Sequence, residues 1–221
     1  MPRHMASVMD TKQLSSSPGT VSLLPNFMGS VQGQSNTSYA SAHDTAVGSS
    51  TYGTGVGIGV FQLYYAAAGK SDQLWDIRQL WLGFNTSGLV GTISSVTMNL
   101  YTLGKLDSDG GFTLECRCVD FGTALDTADW KSAASGDASW GTLGASLSSA
   151  SLTGTGQKTL TTSGTNMATY INRSGNTRFL LNIDKNRLNS GTPSGSVDKF
   201  NLVNIEYSTV LGRTELVVVT T

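Results

Sequence analysis

Apolar and polar positions alternate with a period of two along most of this chain. In Gln79–Asn85, Leu80, Leu82 and Phe84 fall on one side, and Gln79, Trp81, Gly83 and Asn85 on the other. In Ser94–Tyr101, Val96, Met98 and Leu100 alternate with Ser95, Thr97, Asn99 and Tyr101, and these two runs are expected to be paired strands with their apolar faces inward. Phe112–Phe121 sets Phe112, Leu114, Cys116 and Cys118 against Thr113, Glu115, Arg117 and Val119. Phe179, Leu181 and Ile183 continue the pattern, and Phe200–Tyr207 and Thr214–Thr220 close the chain. The run Val217-Val218-Val219 suggests burial on both faces. Successive strand residues point to opposite faces, so this alternation predicts strands with one face in a core.

Turn residues separate these runs. Asp107-Ser108-Asp109-Gly110-Gly111 reads as a hairpin connection, and Asn85-Thr86-Ser87-Gly88 as a turn leaving a strand. One helix is expected at Thr165–Asn172, where Met167, Tyr170 and Ile171 recur at helical spacing. The predicted fold is all-β: an antiparallel β-sandwich of the jelly-roll type, with one short helix. The sandwich is expected over residues 36–221 and an extended N-terminal arm over residues 1–35.

Composition sharpens this picture. The 221 residues are enough for one domain with a real core. Only 13% are charged, about half the usual share, while Gly, Ser and Thr abound. A surface so poor in charge suits burial by neighbouring subunits, where each charge would cost desolvation. The net charge is −1 and the basic residues stand singly, which argues against nucleic acid as a partner. No run of about 18 apolar residues is present, which argues against a membrane-spanning helix. No apolar stretch of signal-peptide length opens the chain.

The arm has few charges but several apolar anchors: Leu14, Val21, Leu23, Leu24 and Phe27. It reads as a disordered tail, as an edge strand of the main domain, or as an assembly arm that orders on a partner surface. The assembly arm is the expectation carried forward.

Candidate chemistry is sparse. The two histidines, His4 and His43, lie far from the two cysteines, and neither sits in a recognisable catalytic pattern. Phosphate loops are missing, and no carboxylate pair stands out. The chain is expected not to be an enzyme. Cys116 and Cys118 would lie about 6–7 Å apart on one strand face, a poor geometry for a disulfide, and read as buried apolar thiols. No cofactor is expected; the candidate site for one is calcium at Asp107 and Asp109, because Asp-Ser-Asp-Gly resembles the start of an oxygen-ligand loop. Trp81, Tyr101 and Trp140 are candidate sugar-stacking rings, with packing against protein as the competing reading.

Two segments carry a resemblance. Asp76-Ile77-Arg78-Gln79-Leu80-Trp81-Leu82-Gly83-Phe84-Asn85-Thr86-Ser87-Gly88-Leu89 and Gly91-Thr92-Ile93-Ser94-Ser95-Val96-Thr97-Met98-Asn99-Leu100-Tyr101 resemble the strand, turn and strand of DNRLRE-like domains and carbohydrate-binding modules. Similar jelly-roll domains occur in tailed-phage head and tail structural proteins. Asp126-Thr127-Ala128-Asp129-Trp130 and Arg213-Thr214-Glu215-Leu216-Val217-Val218 extend the likeness. Asn85 stands where the family often has Asp, which keeps the turn and weakens any metal role.

The resemblance implies a non-enzymatic virion protein at the particle surface, a capsid decoration or head-fibre protein docked through its arm. Its expected partners are the major capsid protein or other virion proteins, and sibling copies in a homo-oligomer, a trimer being favoured. The alternatives it implies are a secreted carbohydrate-binding or adhesive module, or a tail-fibre receptor-binding domain with a cell-surface glycan as partner.

Overall fold

The computed structural model describes residues 19–53, 58–65, 73–107, 110–132, 137–190, 199–206 and 213–221. The strands are β1 (Thr20–Leu23), β2 (Pro25–Ser35), β3 (Ser50–Tyr52), β4 (Ile58–Tyr65), β5 (Leu74–Asn85), β6 (Ile93–Asp107), β7 (Thr113–Cys118), β8 (Thr142–Ser148), β9 (Gly156–Thr159), β10 (Thr161–Thr162), β11 (Asn176–Ile183), β12 (Lys199–Ile205) and β13 (Glu215–Thr220). Three short helices join them: α1 (Tyr39–His43), α2 (Asn166–Tyr170) and α3 (Asp184–Arg187).

All the strand pairings described are antiparallel. One layer runs β3-β2-β5-β11-β7-β8-β10. The other runs β4-β12-β6-β13-β1, with β9 on the free edge of β6. They join where β4 pairs with the first half of β5. The all-β sandwich read from the sequence is therefore the architecture observed.

Its core forms where the expected inward faces meet. Leu80, Leu82, Phe84, Leu114, Phe179 and Leu181 from one layer meet Val96, Met98, Leu100, Val203, Leu216 and Val218 from the other. Each such side chain contributes about 1.5–3 kcal/mol when fully removed from water. α2 lies within the expected helical stretch and lays Met167 on this core, joined by Ile171 at its C-cap. Cys116 and Cys118 face it as free thiols. Burial pushes the Cys118 thiol up to about 11. Cys116 is raised well above the ordinary range by burial and by its neighbour Cys118.

The turn after β5 works through Asn85, whose side-chain oxygen accepts from the Ser87 backbone N–H at 3.1 Å and the Ser87 hydroxyl at 2.6 Å. This Asx arrangement is available to Asn as to Asp.

Four expectations require correction. β6 and β7 lie in different layers and do not pair with each other, so the strands flanking the Asp107–Gly111 segment do not form the expected hairpin. β5 and β6 likewise face each other across the core instead of pairing. Val217 and Val219 are only half-buried, so the β13 valines are fully covered on the Val218 side alone. Lastly, residues 20–35 are not an extended arm. β1 pairs with β13, and β2 pairs with β5 from Pro25 to Ser35. The strand alternative holds for this stretch, and the sandwich begins well before residue 36.

Candidate functional site

The outer face of the β2–β5–β11 layer carries a second apolar cluster. Val31, Trp75, Ile77, Trp81 and Leu180 from the strands are covered by Tyr39 and Ala42 of α1 and by Phe121, Trp130 and Trp140. Gln79 fastens this cover: its amide nitrogen donates to the Lys131 carbonyl at 2.6 Å, and its oxygen accepts from the Lys131 N–H at 2.9 Å. Asp126 and Asp129 cap the 3₁₀ turn that leads into Trp130. Gly33 lies beneath Trp130, where a Cβ would collide with the ring and with the Ala42 carbonyl.

This cover decides the fate of the aromatic candidates. Trp81 is 0% exposed and Trp140 1% exposed, so neither offers a face to a ligand. Tyr101 is half-buried in the other layer, with the Arg213 guanidinium 4.8 Å above its ring. The three do not form a platform, and the packing reading replaces it. Tyr64 and Tyr65 close β4, with Tyr64 buried in the second cluster.

The arm anchors are also committed elsewhere. Val21 and Leu23 pack on the main core, Leu24 is half-buried, and Phe27 meets Phe121 in a tilted ring contact with centroids 4.8 Å apart. Leu14 lies outside the described residues. For calcium, Asp109 also lies outside them, while Asp107 is paired with Lys105 at 2.7 Å and accepts from the Ser149 hydroxyl at 3.1 Å. The Lys105 hydrogen bond holds the Asp107 carboxyl below the usual range. No three His, Cys, Asp or Glu side chains gather into a metal-ligating group among the described residues.

The structure instead assembles a polar strip that the sequence reading passed over. On β5 the parity that points Leu80, Leu82 and Phe84 into the core continues backwards to Arg78 and Asp76. Directly opposite residues share a face. Gln34 therefore joins Asp76, Gln32 joins Arg78, and Ser30 joins Leu80. From the next strands Tyr52 lies opposite Ser30, and Phe61 opposite Arg78.

Asp76 is 7% exposed and accepts from the Gln32 amide at 2.6 Å and the Gln34 amide at 3.0 Å. Burial raises its carboxyl above the ordinary value, against the opposing pull of the two amides and of Arg78. The Arg78 guanidinium carbon lies over both the Tyr52 and the Phe61 ring, 4.4 Å from each centroid. Its one hydrogen bond among the described residues runs from Nη2 to Gln32 Oε1 at 3.2 Å. Its Nε and the Ser30 hydroxyl are buried without a partner there. A signal existed in the sequence: Asp76-x-Arg78 is a charge pair at strand spacing in a charge-poor chain.

A second buried ionic group lies on the outer face of β7. Glu115 Oε2 accepts from Arg117 Nε at 3.0 Å and from Arg187 Nε at 2.9 Å, and Oε1 accepts from Arg187 Nη2 at 2.9 Å. Arg117 also donates to the Gly141 carbonyl, tying β7 to the entry of β8. Burial pushes the Glu115 carboxyl up, but the hydrogen bonds and charges of Arg187 and Arg117 outweigh it and leave it below its ordinary value. The group serves as a strut between β7 and α3.

No protein-family model matches the chain, and no curated protein sequence matches it either.

Proposed function

We propose that this chain is a non-enzymatic structural protein of a phage virion, a jelly-roll decoration or head-fibre protein at the particle surface. Its partners in this reading are the major capsid protein or other virion proteins, and sibling copies in a trimer. The observation that supports it most is how the few charges are spent. Only 13% of residues are charged, and Asp76, Glu115, Arg117 and Glu215 are buried. The exterior is correspondingly rich in uncharged polar residues. Covering such a surface with a neighbour costs little desolvation, which favours assembly. Exposed Leu103, Leu106 and Leu188 add apolar area of the kind an interface uses.

Docking falls, in this reading, to residues before Gly19, including Leu14, because the later anchors are spent within the sandwich. Antibodies raised against the purified chain test the reading on particles from its source. Gold labelling spread over the head indicates a decoration protein, and labelling at a few points indicates a fibre. Unlabelled particles would sink the proposal.

A further inference from the structure

We propose that residues 8–14 of this chain lie as a strap in the groove between the start of β6 and α2. The groove encloses about 460 Å³, with Thr92, Ile93 and Ser94 on one wall and Ala168, Thr169 and Ile171 on the other. Its apolar members, Ile93, Ala168 and Ile171, belong to the main core or pack against it, while the hydroxyl-bearing Thr92, Ser94 and Thr169 are exposed. The groove also runs beside a sheet edge that is only partly paired. β9 pairs with β6 from Asn99 to Thr102, and the Leu160 N–H donates to the Met98 carbonyl at 3.0 Å. Before Met98, among the described residues, β6 has a strand partner on the β13 side alone. An open strand edge beside apolar surface is a seat for extended chain.

The start of the chain supplies the occupant. The Thr220 N–H donates to the Gly19 carbonyl at 2.8 Å, and the Gly19 N–H donates to the Thr220 hydroxyl at 3.2 Å. Thr220 in turn lies opposite Ile93. The residues before Gly19 therefore leave the sheet two strand spacings from Ile93, roughly 10 Å. Residues 15–18 span up to about 13 Å when extended, which brings the chain round to the groove with residues 8–14 still to lay down. These read Val-Met-Asp-Thr-Lys-Gln-Leu. In an extended chain Met9, Thr11 and Gln13 share one side, and Asp10 and Lys12 the other. The uncharged side suits a groove of apolar and hydroxyl groups, and the two charges stay in water. So short a link sets an effective concentration in about the millimolar range, so a weak contact is enough to hold the strap.

The inference goes beyond the virion reading and does not rest on it. A seated strap is withheld from other surfaces, so docking through the same residues requires its release. Absence of the chain from particles would end the virion reading and leave the strap standing.

The test uses the full, isotope-labelled chain with Ser7→Cys carrying a nitroxide; the buried Cys116 and Cys118 escape the label. Relative to the reduced label, the amides of Ile93, Ala168 and Thr169 should lose most of their intensity, while those of β3, in the other layer, keep theirs. Thr169→Trp, at an exposed position, fills the groove and should restore the lost signals. Thr92→Trp should do the same from the other wall, and keeps the test decisive if Thr169→Trp does not fold. An isotope-labelled chain without the nitroxide, mixed with a spin-labelled chain, should show no loss. The proposal is overturned if the groove amides keep their intensity, if folded Trp variants leave the loss unchanged, or if the mixed sample shows the loss, which would assign the groove to a second copy.

Discussion

Replacing Glu115 with Gln leaves two guanidinium groups facing each other in a poorly hydrated site. Glu115 is 4% exposed and Arg117 7% exposed, and the carboxylate accepts three hydrogen bonds at 2.9–3.0 Å from Arg117 and Arg187. Glutamine offers one oxygen in place of two and turns an N–H₂ towards a cation. Removing one partner of a buried ionic group costs about 3–5 kcal/mol, mostly from the charge left uncompensated. At about 2–4 °C per kcal/mol for a domain of this size, the melting temperature should fall by roughly 6–20 °C. Urea unfolding of both proteins at neutral pH, with equal slopes, measures the difference directly.

The acid limb gives an independent check. The folded-state carboxyl lies below its ordinary value, so its stabilisation is complete above the unfolded pKa and is lost as pH falls through the folded one. The gap between wild type and Glu115→Gln should therefore narrow in acid. A loss under about 1 kcal/mol, or a gap that widens in acid, would refute the strut.

The remaining predictions concern the two apolar clusters and the chain start. Deleting residues 1–18 should leave the sandwich folded, whereas deleting residues 1–30 removes β1 and half of β2 and should abolish cooperative unfolding; circular dichroism melts distinguish the two. Cys116 and Cys118 should resist thiol reagents in the native state and react on unfolding, because burial raises both thiols; rapid native labelling would contradict their place in the core. Gly33→Ala should cost about 1–3 kcal/mol in chemical denaturation, since the added methyl meets the Ala42 carbonyl and the Trp130 ring. An unchanged midpoint would mean that the cover over β2 is loosely packed.

The inward faces were legible because alternation reports them directly: Leu80, Leu82, Phe84, Val96, Met98 and Leu100 all lie in the core. Pairing was not, because a period of two looks the same whichever strand lies alongside. This is why β5 and β6 seemed paired and Asp107–Gly111 seemed a hairpin. Trp81 was placed on the outer face correctly, but its burial depends on Phe121, Trp130 and Trp140 folding back over it from irregular segments. Aromatics concentrated in a Gly- and Ser-rich stretch were the available hint. β2 escaped notice because Gly29, Ser30, Gln32, Gly33 and Gln34 show no apolar alternation. Its glycines admit close cover, and its glutamines satisfy Asp76, so the strand is specified by partners distant in sequence. The same distance hid the strip around Arg78.

The most direct test of the structural role is the copy number of this chain in purified particles from its source, measured by quantitative mass spectrometry. The virion reading predicts a fixed stoichiometry, comparable with the major shell protein for a decoration protein and a few copies for a fibre. Absence from the particles would contradict it.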